Sequence, residues 1–392
     1  MIRQGRALAD RPPRITIGIL EVQALRVNFV LPDVNLSGGV RVIAMYAEHL
    51  RRRGHDVLVV STPRKMPPFR TRVKKLVQGR GWQSARPGPS HFDGLGVQRH
   101  VIERFRPIVD SDLPDADVVV ATWWETAEWV ARLVREKGAK AYLIQQFESN
   151  FVNQPGERVE ATWNLPMQKI VVSRWLADLA RDCFGDPDPI IVPNGIDLGL
   201  FHAPPRDKQS RPTVGMLYAP KQPHKGNATA LAAIEIVRRR FPDLQLRAFG
   251  ISEILASMPL PGGTSYWQSP DQSFLREIYR GCDVWLCASS SEGYHLPPHE
   301  AMACRCPVVS TRVGGPMDLI DDGVNGYLVD VGDHQALAER LMEILDLPEP
   351  DWRQMSESAY QTAQRFTWED AAALFEGALE SAIKRCSCAS GT

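Results

Sequence analysis

"CDVWLCASSSEGYHLPPHEAMACRCPVVST", Cys282–Thr311, reads as strand, loop, helix and strand in succession. The apolar run "CDVWLCA" stops at three serines, as a buried strand stops at its turn. "LPPHEAMAC" puts two prolines in a first helical turn, where the missing N–H has no intrahelical partner to lose and the fixed φ suits the helix. "PVVST" is a second β-branched run. A strand that feeds a helix and returns as a strand predicts a parallel sheet with helices over its faces.

The same alternation extends in both directions. In the first half, "LRVNFVL", "GVRVIAMYAEHLRRRG", "HDVLVV", "ADVVVAT", "AEWVARLVREKG" and "AKAYLIQ" follow one another; in the second, "RPTVGMLYAPKQPHKGNATALAAIEIVRRRFPDLQLRAFG" restarts the pattern. Between them Asp186–Pro205 has the proline, glycine and turn chemistry of a linker. A chain of 392 residues is also long enough for two cores. The prediction is therefore an α/β protein of two doubly wound, Rossmann-like domains, 1–190 and 191–365, with ligands in the cleft between their carboxyl edges. "RITIGIL", Arg14–Leu20, is expected to add an edge strand, and "FTWEDAAALFEGALESAIKR" to form an amphipathic helix packed on the second domain.

Composition excludes several classes. Lys plus Arg and Asp plus Glu are 46 each, so no global field draws the chain to nucleic acid. Seven cysteines, an odd number without paired C-x-x-C spacing, point to reduced thiols rather than a disulfide framework or zinc site. No apolar run reaches the roughly 18 residues a membrane span needs, and the first residues carry charges where an export signal is apolar. The expectation is a cytoplasmic protein. The segment Arg64 to Arg80 is basic without one acid, which fits either a solvated loop or peripheral contact with the inner face of the membrane or an anionic acceptor.

The loop Ser289–His295 would leave unpaired N–H groups at Gly293 to Leu296, a seat for phosphate oxygens. Glu292 lies in that loop and Glu300 about a turn into the helix. A carboxylate beside an anion site repels the anion, so hydroxyl groups are the expected targets, and sugars supply them. "PKQPHKGN" opens the second domain's first helix, so that Lys221 and Lys225 either reach phosphate over the cleft or face solvent. Gly38 and Gly39 of "NLSGGVRV" sit at the equivalent turn of the first domain and allow close backbone approach. Trp123, Trp124 and Glu125 of "ATWWETAEW", and Gln145, Gln146 and Glu148 of "LIQQFESN", follow strands of the first domain and are expected at the cleft mouth. Indole faces bury sugar C–H groups and the polar side chains bond hydroxyls, although tryptophan packing explains the pair equally well. Acid-x-acid triplets at Asp110, Asp115 and Asp186 have the form of Mg²⁺ ligands, but lie in turn-like segments and are discounted.

With "EGYHLPPHE" and "AMACRCPVVST", together with "VPNGID" (Val192–Asp197), "HKG" (His224–Gly226) and "DDGVNGYLV" (Asp321–Val329), the chain resembles a retaining family-4 glycosyltransferase of the GT-B fold. The resemblance implies a nucleoside diphosphate sugar as donor, UDP-, dTDP- or GDP-linked, and no metal. Glu300 would then bond the ribose and Glu292 would lie by the donor sugar. Lys225 would hold the diphosphate, with amides around Tyr294 and Leu296 assisting; Gly38, Gly39, Gly293 and His295 join the donor-binding candidates from their own place in the turns. Trp123, Trp124, Glu125 and Gln146 would meet the acceptor, which would be a carbohydrate, lipid-linked glycan or small molecule. The terminal helix, 366–392 with its tail, would cross back to the first domain. The family usually carries an arginine about five residues before Lys225; Pro220 occupies that area, with Lys221 as a possible substitute. A narrower likeness, through "NFVLPDVNLSGGVRV" and "ATWWET", is to bacterial polysaccharide and rhamnosyltransferase-like enzymes. A non-hydrolysing nucleotide-sugar epimerase and a non-catalytic sugar-nucleotide-binding regulator are the alternatives.

Overall fold

The computed structural model describes residues 24–66, 70, 76–77, 88–151 and 154–388. The strand expected at Arg14–Leu20 and most of Arg64 to Arg80 lie outside the described residues. The first lobe is a parallel sheet of β1 (Arg26–Leu31), β2 (Asp56–Ser61), β3 (Gln98–Val101), β4 (Val118–Ala121), β5 (Ala139–Ile144), β6 (Gln168–Val171) and β7 (Ile190–Ile191), in the order 3-2-1-4-5-6-7. The central strands are buried on both faces, which is why they read as continuous Val, Ile and Ala runs. Strand β7 falls within the stretch expected as linker: Ile190 and Ile191 pair with Ile170 and Val171 at the edge, where a preceding proline costs no ladder bond.

The helices described within this lobe's own stretch of chain are α1 (Gly38–Arg52), α2 (Trp124–Ala131), α3 (Gly156–Ala161) and α4 (Arg174–Phe184). Helix α1 starts where the Ser37 hydroxyl accepts from the Val40 amide, and α4 starts on Ser173 in the same way. The helical pattern read through "AEWVARLVREKG" breaks after Ala131 and finishes as a short 3-10 turn at Arg135–Lys137.

The second lobe repeats the plan with β8 (Thr213–Leu217), β9 (Gln245–Gly250), β10 (Ser265–Gln268), β11 (Val284–Cys287), β12 (Val308–Thr311) and β13 (Gly326–Val329), in the order 10-9-8-11-12-13. Its helices are α5 (Asn227–Arg240), α6 (Gln272–Arg280), α7 (Leu296–Ala303), α8 (Pro316–Leu319), α9 (His334–Asp346) and α10 (Glu349–Ala363). In both sheets the order reverses beside the first strand of the lobe. Each therefore has a crevice at its carboxyl edge, between the loops after β1 and β4 and between those after β8 and β11.

The last helix, α11 (Trp368–Cys388), packs on the first lobe and not on the second. Its Phe375 stacks on Tyr46 of α1 with centroids 4.4 Å apart, and Trp368 meets the same ring edge-on. Glu376 binds Arg53 and His55. The chain thus crosses between lobes twice, and the crossings touch: Ile196 bridges Thr367, and a Cβ on Gly195 would lie 2.3 Å from the Thr367 backbone. Only glycine fits the "PNG" corner.

Candidate functional site

The loop that leaves β11 and the loop that leaves β8 meet at the second lobe's crevice. A Cβ on Gly226 would fall 1.7 Å from the Ala288 carbonyl oxygen, and Ser290 donates to the His224 carbonyl at 2.8 Å, so the two loops run in contact. The Lys225 ammonium is thereby brought onto Glu292, 2.7 and 3.0 Å from its two oxygens. The Ser289 hydroxyl donates to the same carboxylate at 2.7 Å.

Burial, the largest influence, pushes the Glu292 carboxyl up; the His295 imidazole, the Lys225 ammonium and the hydrogen bonds from Lys225 and Ser289 outweigh it and hold the acid at about 2. His295 is itself pushed down to about 4 by burial and is uncharged at neutral pH. Lys225 and Ser289 are therefore what keep Glu292 ionised. His295 caps α7 in a left-handed conformation, φ 66°, that side chains rarely adopt; its Nε2 lies 3.6 Å from Glu292 and its buried Nδ1 has no partner.

Glu300, one turn into α7, is buried and held from both lobes. Its Oε2 accepts from the Tyr279 hydroxyl at 2.7 Å, and its Oε1 from Arg41 of α1 at 2.6 Å. The Arg41 guanidinium also lies over the Phe201 ring. Beside it the Tyr294 ring joins the first lobe's hydrophobic cluster, so only its backbone is left to face a ligand. Its hydroxyl meets His299 Nδ1 at 3.0 Å, while His299 Nε2 meets the Ala363 carbonyl at 3.1 Å. A carbonyl can only accept, so Nε2 carries the proton and Nδ1 accepts from Tyr294.

The first lobe closes over this loop. A Cβ on Gly293 would lie 1.8 Å from the Gln145 carbonyl oxygen. Gln146 and Asn150 both donate to the Ser291 hydroxyl, at 3.3 and 2.8 Å. Gln145 donates to the Gly39 carbonyl at 3.2 Å, and Gly38 is open to solvent at the start of α1. Gly38, Gly39, Gln146, Glu292, Gly293 and Glu300 are thus brought to one lobe boundary. Lys221 is exposed in the loop after β8.

Trp124 departs from the expectation of a place at the cleft mouth. Its side chain is buried, its indole N–H donates to Gln154 and its ring lies under Arg158. Trp123 is half-buried and stacks on Phe151, which in turn meets His224 of the second lobe at 5.0 Å. Of these two indoles, Trp123 is the one that leads to the boundary. Glu125 is half-buried in the first turn of α2. Glu148 is buried; it accepts from the Trp124 amide at 2.9 Å, and burial pushes it up to about 8. It holds the start of α2.

The acidic triplets serve as structural partners. Asp110 accepts from the Val134 amide, Asp112 pairs with Arg106, Asp115 with Lys137, Asp186 with Lys169 and Asp188 with Arg385. Among the described residues no group of three or more His, Cys, Asp and Glu side chains is placed to hold a metal ion, and no helix is long and apolar enough to cross a membrane.

Residues 36–200 match Glycosyltransferase Family 4, and residues 208–362 match Glycosyl transferases group 1. The D-inositol 3-phosphate glycosyltransferase of Segniliparus rotundus is 32% identical over 205 residues, which are 47% of this chain and 45% of that protein. The enzyme of the same description from Acidothermus cellulolyticus is 27% identical across 87% of this chain and 85% of its own. Anabaena HepE, solved in complex with UDP-glucose, superposes with a TM-score of 0.69 at 16% identity, covering 91% of this chain and all of that one. A variant of S. aureus TarM, solved with fondaparinux, alpha-GlcNAc-glycerol and UDP, gives 0.69 at 10% identity, covering 91% of this chain and 99% of that one. With its two halves matched in turn and its two parallel sheets, the chain belongs to the group 1 and family 4 glycosyltransferases of the GT-B fold.

Proposed function

We propose that the protein transfers a hexose or deoxyhexose from a nucleoside diphosphate sugar to an acceptor hydroxyl with retention of anomeric configuration. The observation that carries this reading is the Lys225 ammonium at the second lobe's switch point, held on Glu292 in the loop that opens α7, whose next residue, Gly293, packs against the Gln145 carbonyl of the first lobe. HepE has been solved with UDP-glucose, and the inositol phosphate enzymes carry sugar-transfer names, which supports a nucleotide-sugar donor.

In this mechanism Lys225, Lys221 and the amides at Tyr294 to Leu296 take the charge that builds on the departing diphosphate. Glu292 binds the donor sugar. Glu300 bonds the ribose: its two oxygens offer about four acceptor positions, and Arg41 and Tyr279 fill two. A diphosphate oxygen takes the acceptor proton on the face the leaving group vacates, so no protein base is required. Trp123 and Gln146 line the acceptor's approach, and the acceptor is a carbohydrate, lipid-linked glycan or small molecule.

A thermal-shift screen of UDP-, dTDP- and GDP-sugars, followed by transfer assays with and without EDTA, tests this reading. Release of nucleoside diphosphate only with acceptor present separates transfer from epimerisation. Product NMR showing an inverted anomeric centre would overturn the mechanism, and loss of activity in EDTA would overturn the metal-free scheme.

A further inference from the structure

We propose that Arg41 is a positioning residue for nucleotide recognition, supplied by the lobe opposite the nucleotide: it orients Glu300 and cancels its charge, so that ribose binding depends on the two lobes being docked. This rests on the ribose role given to Glu300 above. Arg41 and Glu300 are 259 positions apart in sequence yet 2.6 Å apart in space, and their side chains are 13% and 4% exposed. Neither charge is left facing water, so the pair is not a surface ion pair of small effect.

The chemistry of the site calls for such a cation. A carboxylate that accepts ribose hydroxyls near a diphosphate repels it unless its charge is met. Glu292 has Lys225 for this purpose; among the described residues, the hydrogen bond Glu300 accepts from a side chain of its own lobe comes from the neutral Tyr279 hydroxyl. Arg41 supplies the missing positive charge, and Phe201 under the guanidinium fixes where it stands. Because Arg41 lies in the first turn of α1, just after Gly39, any movement of that turn is passed to the ribose carboxylate.

The test measures binding of whichever of UDP, dTDP and GDP raises Tm most, beside its 2′,3′-dideoxy counterpart, in the full chain. In wild type the hydroxylated nucleotide binds more tightly. Arg41→Met should weaken it by roughly tenfold or more, the loss of one hydrogen bond to a charged group, while the dideoxy form changes little. Arg41→Lys keeps the charge and should retain part of the preference. Arg41→Met combined with Glu300→Gln should be no worse than Glu300→Gln alone, since a Gln needs no cation; this pair also reports if the single Met variant folds poorly. Equal weakening of both nucleotides by Arg41→Met, a change under twofold, or additive losses in the double variant would overturn the inference. If Glu300→Gln itself leaves the preference intact, the ribose role of Glu300 fails instead.

Discussion

Replacing Lys225 by Met removes the cation from a buried carboxylate, and the structure gives the cost. Burial pushes the Glu292 carboxyl up, and His295, Lys225 and Ser289 together hold it at about 2, so without Lys225 the buried ionised form loses a main support. Stranding one partner of a buried ion pair costs about 3–5 kcal/mol. For a lobe of this size that is a fall of roughly 6–20 °C in Tm at pH 7. The sign of the pH dependence follows. The folded-state value lies below the unfolded one, so the stabilisation is complete above about 4.5 and is lost as pH falls toward 2. The Tm gap between wild type and Lys225→Met should therefore narrow between pH 6 and pH 3.

Turnover separates from stability in the double variant Lys225→Met with Glu292→Gln. A neutral amide needs no cation and can still bond Ser289, so Tm should recover by more than half. Transfer should remain down by roughly 100- to 1,000-fold, the loss seen when one donor to a developing oxyanion is removed. Calorimetry at several pH values and a nucleoside-diphosphate release assay read the two effects. A Tm gap below 2 °C at pH 7, or one that does not change with acid, would refute the electrostatic reasoning; near-normal turnover in the double variant would refute the role of Lys225.

Gly293→Ala should lower kcat/KM by roughly 100-fold with Tm within a few degrees of wild type, because the lobes must part by about 1 Å to clear the Gln145 carbonyl; steady-state kinetics with unchanged rates would show that the contact is not needed. Glu148→Gln should raise Tm above wild type at pH 8 and flatten the pH profile: the folded acid titrates near 8 and the unfolded one near 4.5, so wild type loses stability as pH rises between them. An unchanged slope between pH 5 and 8 would count against a buried, neutral Glu148. Gly195→Ala, whose methyl group meets the Thr367 backbone at both crossings, should cost at least about 1–3 kcal/mol, read as a lowered Tm.

The alternation of β-branched runs with helical periods made both sheets legible, since each strand is local and buried on two faces. Glu292 and Glu300 were legible for the same reason: strand, loop and helix place them without reference to the other lobe. Arg41 was not, because its meaning depends on a docking 259 positions away. "GGVRV" reads as a helix start, and nothing in its period marks which residue will reach across. Trp124 misled because its neighbour does reach the boundary; the strand end fixes where the pair lies, but helix α2 turns one indole inward onto Gln154. The two isoleucines of β7 were hidden by the prolines on either side, whose turn chemistry is the same in a linker and at a sheet edge.

The distribution of charge explains why two acids can stand beside a place meant for an anion. Glu292 is met by Lys225 and Glu300 by Arg41, while His295 is held neutral by burial. Net charge at the lobe boundary is therefore near zero. On the proposed reading, attraction of a diphosphate falls to Lys225, which it would share with Glu292, to the amide dipoles at the start of α7 and to the exposed Lys221. Such a site favours a ligand that also satisfies the carboxylates through hydroxyl groups over a bare anion of equal charge. On the proposed reading, a nucleoside diphosphate carrying its sugar would bring hydroxyls to both acids, the ribose to Glu300 and the sugar to Glu292. If the proposed roles of Glu292 and Glu300 hold, the pairing of the acids would let the site distinguish a glycosylated nucleotide from free pyrophosphate.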